Sequence, residues 1–175
     1  MNSLVQTKIA TIEDAETISA LAKITFAETF GHYFRDPKDL LSYFDRTFSV
    51  EKISDSIQKE NNIFWLGFYE DHAVGYAKLK LNSPSPFVSG KNLSQLQKIY
   101  VLKNFLSQKV GLELQETLLA SAKENGSETV WLSVLKQNER AKGFYLKNGF
   151  EVVGEHDFQI GKEHFEFDVM QKELI

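Results

Sequence analysis

With 175 residues, 42% of them hydrophobic and 25% charged, the chain has the composition of a globular protein rather than a disordered one, and length enough for one domain with a buried core. Its net charge of −4, from 24 acidic and 20 basic residues mixed along the chain, gives no basic stripe for nucleic acid, while the acidic surplus suits small cationic substrates. Cysteine is absent, which excludes disulfides, thiolate zinc sites and a cysteine nucleophile together.

At the start, residues 1–6 carry neither the basic region nor the apolar run of a signal peptide. No window approaches the roughly 18 apolar residues of a membrane span, so a cytoplasmic protein is expected. Residues 4–10 read as a first strand, with Val5, Thr7 and Ile9 on one face. Thr11 is placed to cap a helix whose first turn holds Glu13 and Asp14; Ile18, Leu21, Ala22 and Thr25 then follow at spacings of three and four to about Ala27, with Gly31 as the stop. Asp36-Pro37 opens a second helix carrying Leu40, Leu41 and Phe44, and residues 50–59 form a third with Ile53 and Ile57.

Residues 63–69 and 73–81 read as an antiparallel strand pair, the first alternating Phe64, Leu66 and Phe68 against Trp65 and Tyr69. A strand over 96–102, a polar loop over 103–107 and a helix over 108–125 come next, with Leu114, Leu118 and Ala122 as the buried stripe. A strand over 129–134, a helix capped by Asn138 and ended by Asn148-Gly149, and a hairpin of strands 150–160 and 164–171 complete the chain. His164, Glu166 and Asp168 alternate as the solvent face of the last strand, and the four histidines lack the mutual spacing of a metal site. The order places the fold in the α/β or α+β group around one sheet.

The stretch from Leu96 to Asn125 is the first functional candidate. A strand that feeds a helix leaves backbone N–H groups unpaired at the helix start, where the dipole adds positive charge, so the turn is a seat for a phosphate. Taken alone, the turn equally fits a plain strand–loop–helix connection.

Residues 131–170 carry a resemblance. Trp131-Leu132-Ser133-Val134, followed by Asn138-x-x-Ala141-x-x-Phe144-Tyr145-x-x-Asn148-Gly149-Phe150, resembles the second half of the GNAT (GCN5-related) N-acetyltransferase fold. Asp157-Phe158-x-x-Gly161, Asp168-x-Met170-x-Lys172, Thr25-Phe26-x-x-Thr29-Phe30 and Val74-Gly75-Tyr76-Ala77-Lys78-Leu79 resemble its polyamine-acetyltransferase branch, that of PaiA. The resemblance implies a single mixed, mostly antiparallel sheet of about seven strands, helices on both faces, and a splay between the fourth and fifth strands.

It also implies that acetyl-CoA lies in that splay. Backbone groups of Ile99, Tyr100 and Val101 would hold the pantetheine arm, Ser107, Gln108, Lys109, Val110, Gly111 and Leu112 the pyrophosphate, and Asn138 would lie near the pantetheine. The family pattern at the phosphate turn is Arg or Gln, two residues, Gly, one residue, then Gly or Ala. In the ungapped register residues 106–111 keep only the last glycine, Gly111, with Leu106 and Lys109 at the other two positions.

Helical spacing by itself reads Ala141, Phe144 and Tyr145 as a packed stripe; the flanking motif is what assigns Tyr145 as the general acid that protonates the departing thiolate. The family's glutamate base falls on Gln97, which does not ionise, and the base is left unassigned, with Glu28 a second choice. Phe26, Glu28, Phe30 and Tyr33, with His32, form an aromatic and acidic cluster that suits an extended cation such as a polyamine, against core packing of the aromatics taken singly. The expected activity is acetyl transfer to a primary amine of a small molecule, without metal, nucleic acid or membrane, in a chain that can pair as a homodimer as relatives of this fold do. The rival is a domain of this fold that has lost turnover and serves as a CoA-binding or interaction module.

Overall fold

The computed structural model describes residues 3–174 and builds them on one seven-stranded sheet in the order β1-β2-β3-β4-β5-β7-β6. The strands are β1 (Val5–Ile9), β2 (Asn62–Tyr69), β3 (His72–Lys80), β4 (Leu93–Val101), β5 (Thr129–Leu135), β6 (Glu151–Ile160) and β7 (Glu163–Glu173). Helices α1 (Ala15–Phe30), α2 (Pro37–Thr47) and α3 (Val50–Gln58) cover one face, and α4 (Val110–Glu124) and α5 (Glu139–Lys147) the other. Neighbouring strands are antiparallel except β4 and β5, which run parallel because α4 crosses over between them. Among the described residues, no helix is long and apolar enough to cross a membrane.

The strand alternation decides which core each side chain joins. On β2, Phe64 and Leu66 turn to the α1–α3 face while Trp65 turns to α4, so the strand is buried on both sides. The α1 stripe of Ile18, Leu21, Ala22 and Phe26 fills the first core; Leu114, Leu118 and Ala122 of α4 fill the second against Val130, Leu132 and Met170.

Several boundaries differ from the sequence reading. Thr11 is followed by a single 3-10 turn (Ile12–Asp14), in which the Asp14 carboxylate accepts from the Thr11 N–H at 2.9 Å, and α1 proper begins at Ala15. α1 runs on past Ala27 to Phe30 and ends at Gly31 as expected, but Gly31 keeps right-handed helical angles (φ −55°, ψ −40°) and a 3-10 turn (Gly31–Tyr33) follows it directly. α4 begins at Val110 rather than 108, after a 3-10 turn (Lys103–Phe105). Asp168 is not on a solvent face: it is buried, with its carboxylate 2.6 Å from Lys142 Nζ of α5.

Two details of β3 and β4 shape the centre of the sheet. Lys78 pairs with Lys98 and Leu79 with Leu96, so Gln97 is an extra residue that bends β4. β4 then pairs with β5 only from Leu93 to Gln95, against Thr129 to Trp131. The second detail is the lysine pair itself, two like charges directly opposed, which is destabilising. Lys98 lies 5.3 Å from the centre of the Phe48 ring and Lys78 5.4 Å from that of Phe64. Burial pulls both ammonium groups down to about 8, and the charge of Lys98 lowers Lys78 further.

Two outcomes are expected. A Cβ at Gly67 on β2 would stand 2.8 Å from Val110 Cγ1 at the start of α4, so Gly67→Ala should cost about 1–3 kcal/mol in a denaturant melt by forcing that turn outward. The lysines bind fewer protons folded than unfolded, so they destabilise the fold most below about pH 8, and that cost is relieved as pH rises from there to the ordinary lysine range. Lys98→Met should therefore raise the melting temperature at pH 7 by about 2–4 °C, the effect of ~1 kcal/mol at this size. The gain should shrink at pH 10.

Candidate active site

Past Gln95 the edge of β4 that faces β5 loses its partner, and the gap opens into a cavity of about 650 Å³ running between the two strands. Ile99, Tyr100 and Val101 line it while their other edge stays paired to β3 through Ala77, Tyr76 and Gly75. A strand edge with free N–H and C=O groups is what an amide-bearing chain can pair with.

One wall is the start of α4. Its first N–H groups have no intrahelical acceptor, and the N-cap residue Lys109 makes no side-chain cap. Gly111 and Leu112 line the cavity with Lys109. Lys109 sits at φ 67°, the left-handed region that favours glycine, and it occupies the position where the family pattern has its first glycine. The rest of the expected cradle is placed differently. Gln108 spends its N–H on the Phe105 carbonyl at 3.2 Å, and neither Ser107 nor Gln108 lines the cavity. Val110 is fully buried against Leu114 and Gly67, so its contribution is confined to its backbone.

α5 forms the next wall. The Asn138 side-chain Oδ1 accepts from the Ala141 N–H at 3.2 Å, which caps the helix start on the cavity, and Arg140 lines the cavity beside it. Tyr145, nearly two turns further on, is buried with its ring edge-on to Phe144 at 5.3 Å and to Phe150 at 5.5 Å, and it borders the same cavity. Burial pushes its phenol well above the ordinary tyrosine value, with a smaller push from Tyr100, so the hydroxyl is a proton-bearing group at any working pH.

The third wall comes from the end of α1 and the turn after it. Glu28, Phe30, His32 and Tyr33 line the cavity. The Glu28 carboxylate accepts from the Lys103 N–H at 3.2 and 3.3 Å, tying α1 to the chain leaving β4. Phe26 does not reach the cavity: it stacks on Phe30 at 4.4 Å and packs against Tyr43 and Phe48 in the core, so its expected substrate contact is corrected to support of Phe30. The turn is held by a polar clasp to the β6–β7 hairpin. Arg35 Nε lies 2.9 Å from Glu163 Oε2, and the Lys162 N–H donates to Asp39 Oδ2 at 3.0 Å.

Gln97, the bulged residue of β4, also borders the cavity. Sequence reading passed over Arg140, Ser133 and Phe167, which border it too. Ser133 belongs to the buried strand and to the Trp131–Val134 part of the resemblance, and strand alternation is the signal that turns it to the α1 side. Among the described residues, no group of three or more His, Asp or Glu is arranged to hold a metal ion.

Residues 21–150 match the acetyltransferase (GNAT) family model. Over 163 residues the chain is 26% identical to an uncharacterized N-acetyltransferase in the pepI 3′ region of Lactobacillus delbrueckii subsp. lactis, covering 93% of this chain and 94% of that one. PaiA N-acetyltransferase from Thermoplasma acidophilum, solved in complex with coenzyme A, superposes with a TM-score of 0.77 at 23% identity, over 99% of this chain and 100% of that one. YncA from Salmonella typhimurium, solved with its cofactor acetyl-CoA, gives 0.71 at 15% identity, over 99% and 95%. A family match across residues 21–150, most of the chain, means that this chain, whose sheet parts between β4 and β5, belongs to the GNAT acetyltransferase family.

Proposed function

We propose that the chain transfers acetyl from acetyl-CoA to a primary amine of a small molecule by direct attack, with Tyr145 as general acid and the whole chain acting as one domain. The observation that carries this reading is the charge layout of one continuous cavity. Lys109 and Arg140 stand at the starts of α4 and α5, while the carboxylate of Glu28 lies on the α1 side with the rings of Phe30 and Tyr33. Phosphates suit the first end, where free helix N–H groups and cations coincide. An ammonium suits the second, where a carboxylate and aromatic faces coincide. Tyr145 borders the same cavity and can donate to the thiolate that leaves when the C–S bond breaks.

The fit of the donor rests on this chain's own groups. The unpaired edge at Ile99, Tyr100 and Val101 suits the amides of pantetheine, and Asn138 borders that path. The Lys109 side chain replaces close backbone approach with a charge. A polyamine is the acceptor class we favour, because an extended chain with several cations matches one carboxylate flanked by aromatic rings. The rival reading, a CoA-binding module without turnover, is favoured by Gln97, which lines the cavity where the resemblance implies an ionisable base, and by Leu106 and Lys109 at the phosphate turn.

Lys109→Ala keeps the strained backbone and removes only the charge, so the KM for acetyl-CoA should rise several-fold with kcat little changed. Tyr145→Phe should lower kcat by about 10²-fold or more while acetyl-CoA still raises the melting temperature. A thiol-release panel of spermidine, benzylamine, lysine and a glycyl peptide tests the acceptor. Turnover of spermidine ahead of the others is expected, and inert spermidine beside a reactive peptide would sink the polyamine choice. Acetyl-CoA binding without release of thiol from any of the four favours the module.

A further inference from the structure

Deprotonation of the amine has no group assigned to it, since Gln97 does not ionise. On the same side of the sheet as Glu28 and Tyr33, Ser133 of β5 borders the cavity, and its Oγ lies 2.9 Å from Nε2 of His156 on β6. The ring of His156 is stacked on Phe167 at 5.3 Å with 13° between planes, and on Phe87 at 6.4 Å and 21°. Gly154 makes room for Phe87: a Cβ there would stand 2.5 Å from its ring.

The tautomer follows from the neighbours. Nδ1 of His156 lies 3.4 Å from the Asp157 carbonyl oxygen, which only accepts, so Nδ1 carries the hydrogen. Nε2 then presents its lone pair to Ser133, whose O–H donates to it. The serine oxygen keeps lone pairs that this hydrogen bond does not use, at a residue that lines the cavity. A hydroxyl backed by an imidazole is the arrangement by which a serine passes a proton on.

We propose that Ser133 and His156 form the proton relay for the incoming amine. Ser133 meets the amine, and His156, acting through Ser133, is its positioning residue and holds the proton. As the amine nitrogen gives a proton to Ser133 Oγ, the Oγ–H proton moves to His156 Nε2 and leaves an imidazolium. The freed lone pair forms the C–N bond to the acetyl carbonyl, and the C–S bond breaks. Of the two protons an ammonium gives up on becoming an amide, one leaves through Ser133 and His156 to solvent and the other restores the Tyr145 phenol, whose own proton has gone to the sulfur of CoA. The relay rests on the reading that the amine enters from the Glu28 and Tyr33 side.

The titratable groups near the ring fall on two faces of the sheet. Alternation turns Glu155, Asp157, Glu166 and Asp168 to the opposite face of β6 and β7, where Glu155 pairs with Lys136 and Asp168 with Lys142. Across the cavity the titratable groups on His156's side are Glu28, His32, Tyr33 and Tyr100.

The test is the pH dependence of kcat/KM for the best amine of the panel, with the full chain as wild type, Ser133→Ala, Ser133→Thr and His156→Gln. Ser133→Ala and His156→Gln should each lower kcat/KM about 10²-fold at neutral pH. Their profiles should move up to follow the amine's own ionisation, because only amine already neutral in solution then reacts. Ser133→Thr keeps a hydroxyl and should keep the wild-type profile. Imidazole added to His156→Ala should restore rate, which a purely structural role would not allow. The melting-temperature shift given by acetyl-CoA should be the same for all. Wild type that turns over, with variants losing rate equally at every pH or not at all, overturns the relay alone. Wild type that releases no thiol with any amine overturns the acceptor reading and the relay with it.

Discussion

The feature on which the rest of the molecule depends is that β4 can pair with β5 for only three residues. A parallel pair is made by a crossover, and here the crossover is α4, whose buried stripe presses on β2, β3 and β4. The extra residue at Gln97 bends β4 just past the last paired position, Gln95, and the strands part. An unpaired strand edge in a sheet interior would cost free energy if it stayed dry. It is tolerated because it faces a cavity open to solvent and ligand. The same bend aims the chain into the loop before α4, so the free edge and the free helix N–H groups come from one irregularity.

Packing then assigns the two sides of this opening different chemistry. On the α4 and α5 side, two helices start at the cavity, and the partial charges of their ends add to Lys109 and Arg140. On the α1 side the wall is aromatic. Phe30 is held by Phe26 behind it and meets Phe165 edge-on at 5.4 Å, so the wall is a buried stack with few rotamers open to it. The hairpin clasp through Arg35, Asp39 and Glu163 pins the turn that carries His32 and Tyr33. The clasp is exposed, and charge pairs of that kind are worth little in stability. What it supplies is position.

Much of this was legible in the sequence, for identifiable reasons. The helices with strong stop and start residues came out well, as Asn138 and Gly126 show, because a cap or a left-handed glycine acts within one turn of its own position. The ends governed by tertiary contact did not. α1 ran past Ala27 to its stop at Gly31 because Phe30 is worth burying in the aromatic core. Asp168 looked solvent-facing because alternation was counted along one strand, while Lys142 reaches it from α5, which no local pattern foretells. Phe26 and Phe30, four apart on one helix, could not be separated by spacing, and only the packing shows that one lines the cavity and the other backs it. The Ser133 and His156 contact joins β5 to β6 across 23 residues, and strand pairing order decides it.

The departures from the family pattern fall into two kinds, and the difference is physical. Where the fold supplies the needed group from the backbone, side-chain identity is loosely constrained. Lys109 can stand at a glycine position because a helix start offers N–H groups whatever the residue, at a cost of about 1–2 kcal/mol for its left-handed backbone. Where the chemistry needs a group that takes up a proton, the backbone has nothing to offer. Gln97 makes the bulge, and its amide has no ionisable group to offer. Such a lack can be made good only by another titratable side chain on the amine's side of the sheet, or by water alone. β5 and β6 bring an imidazole to a cavity-lining hydroxyl on that side, so the proposed relay draws its base from this chain's own side chains rather than from the fold.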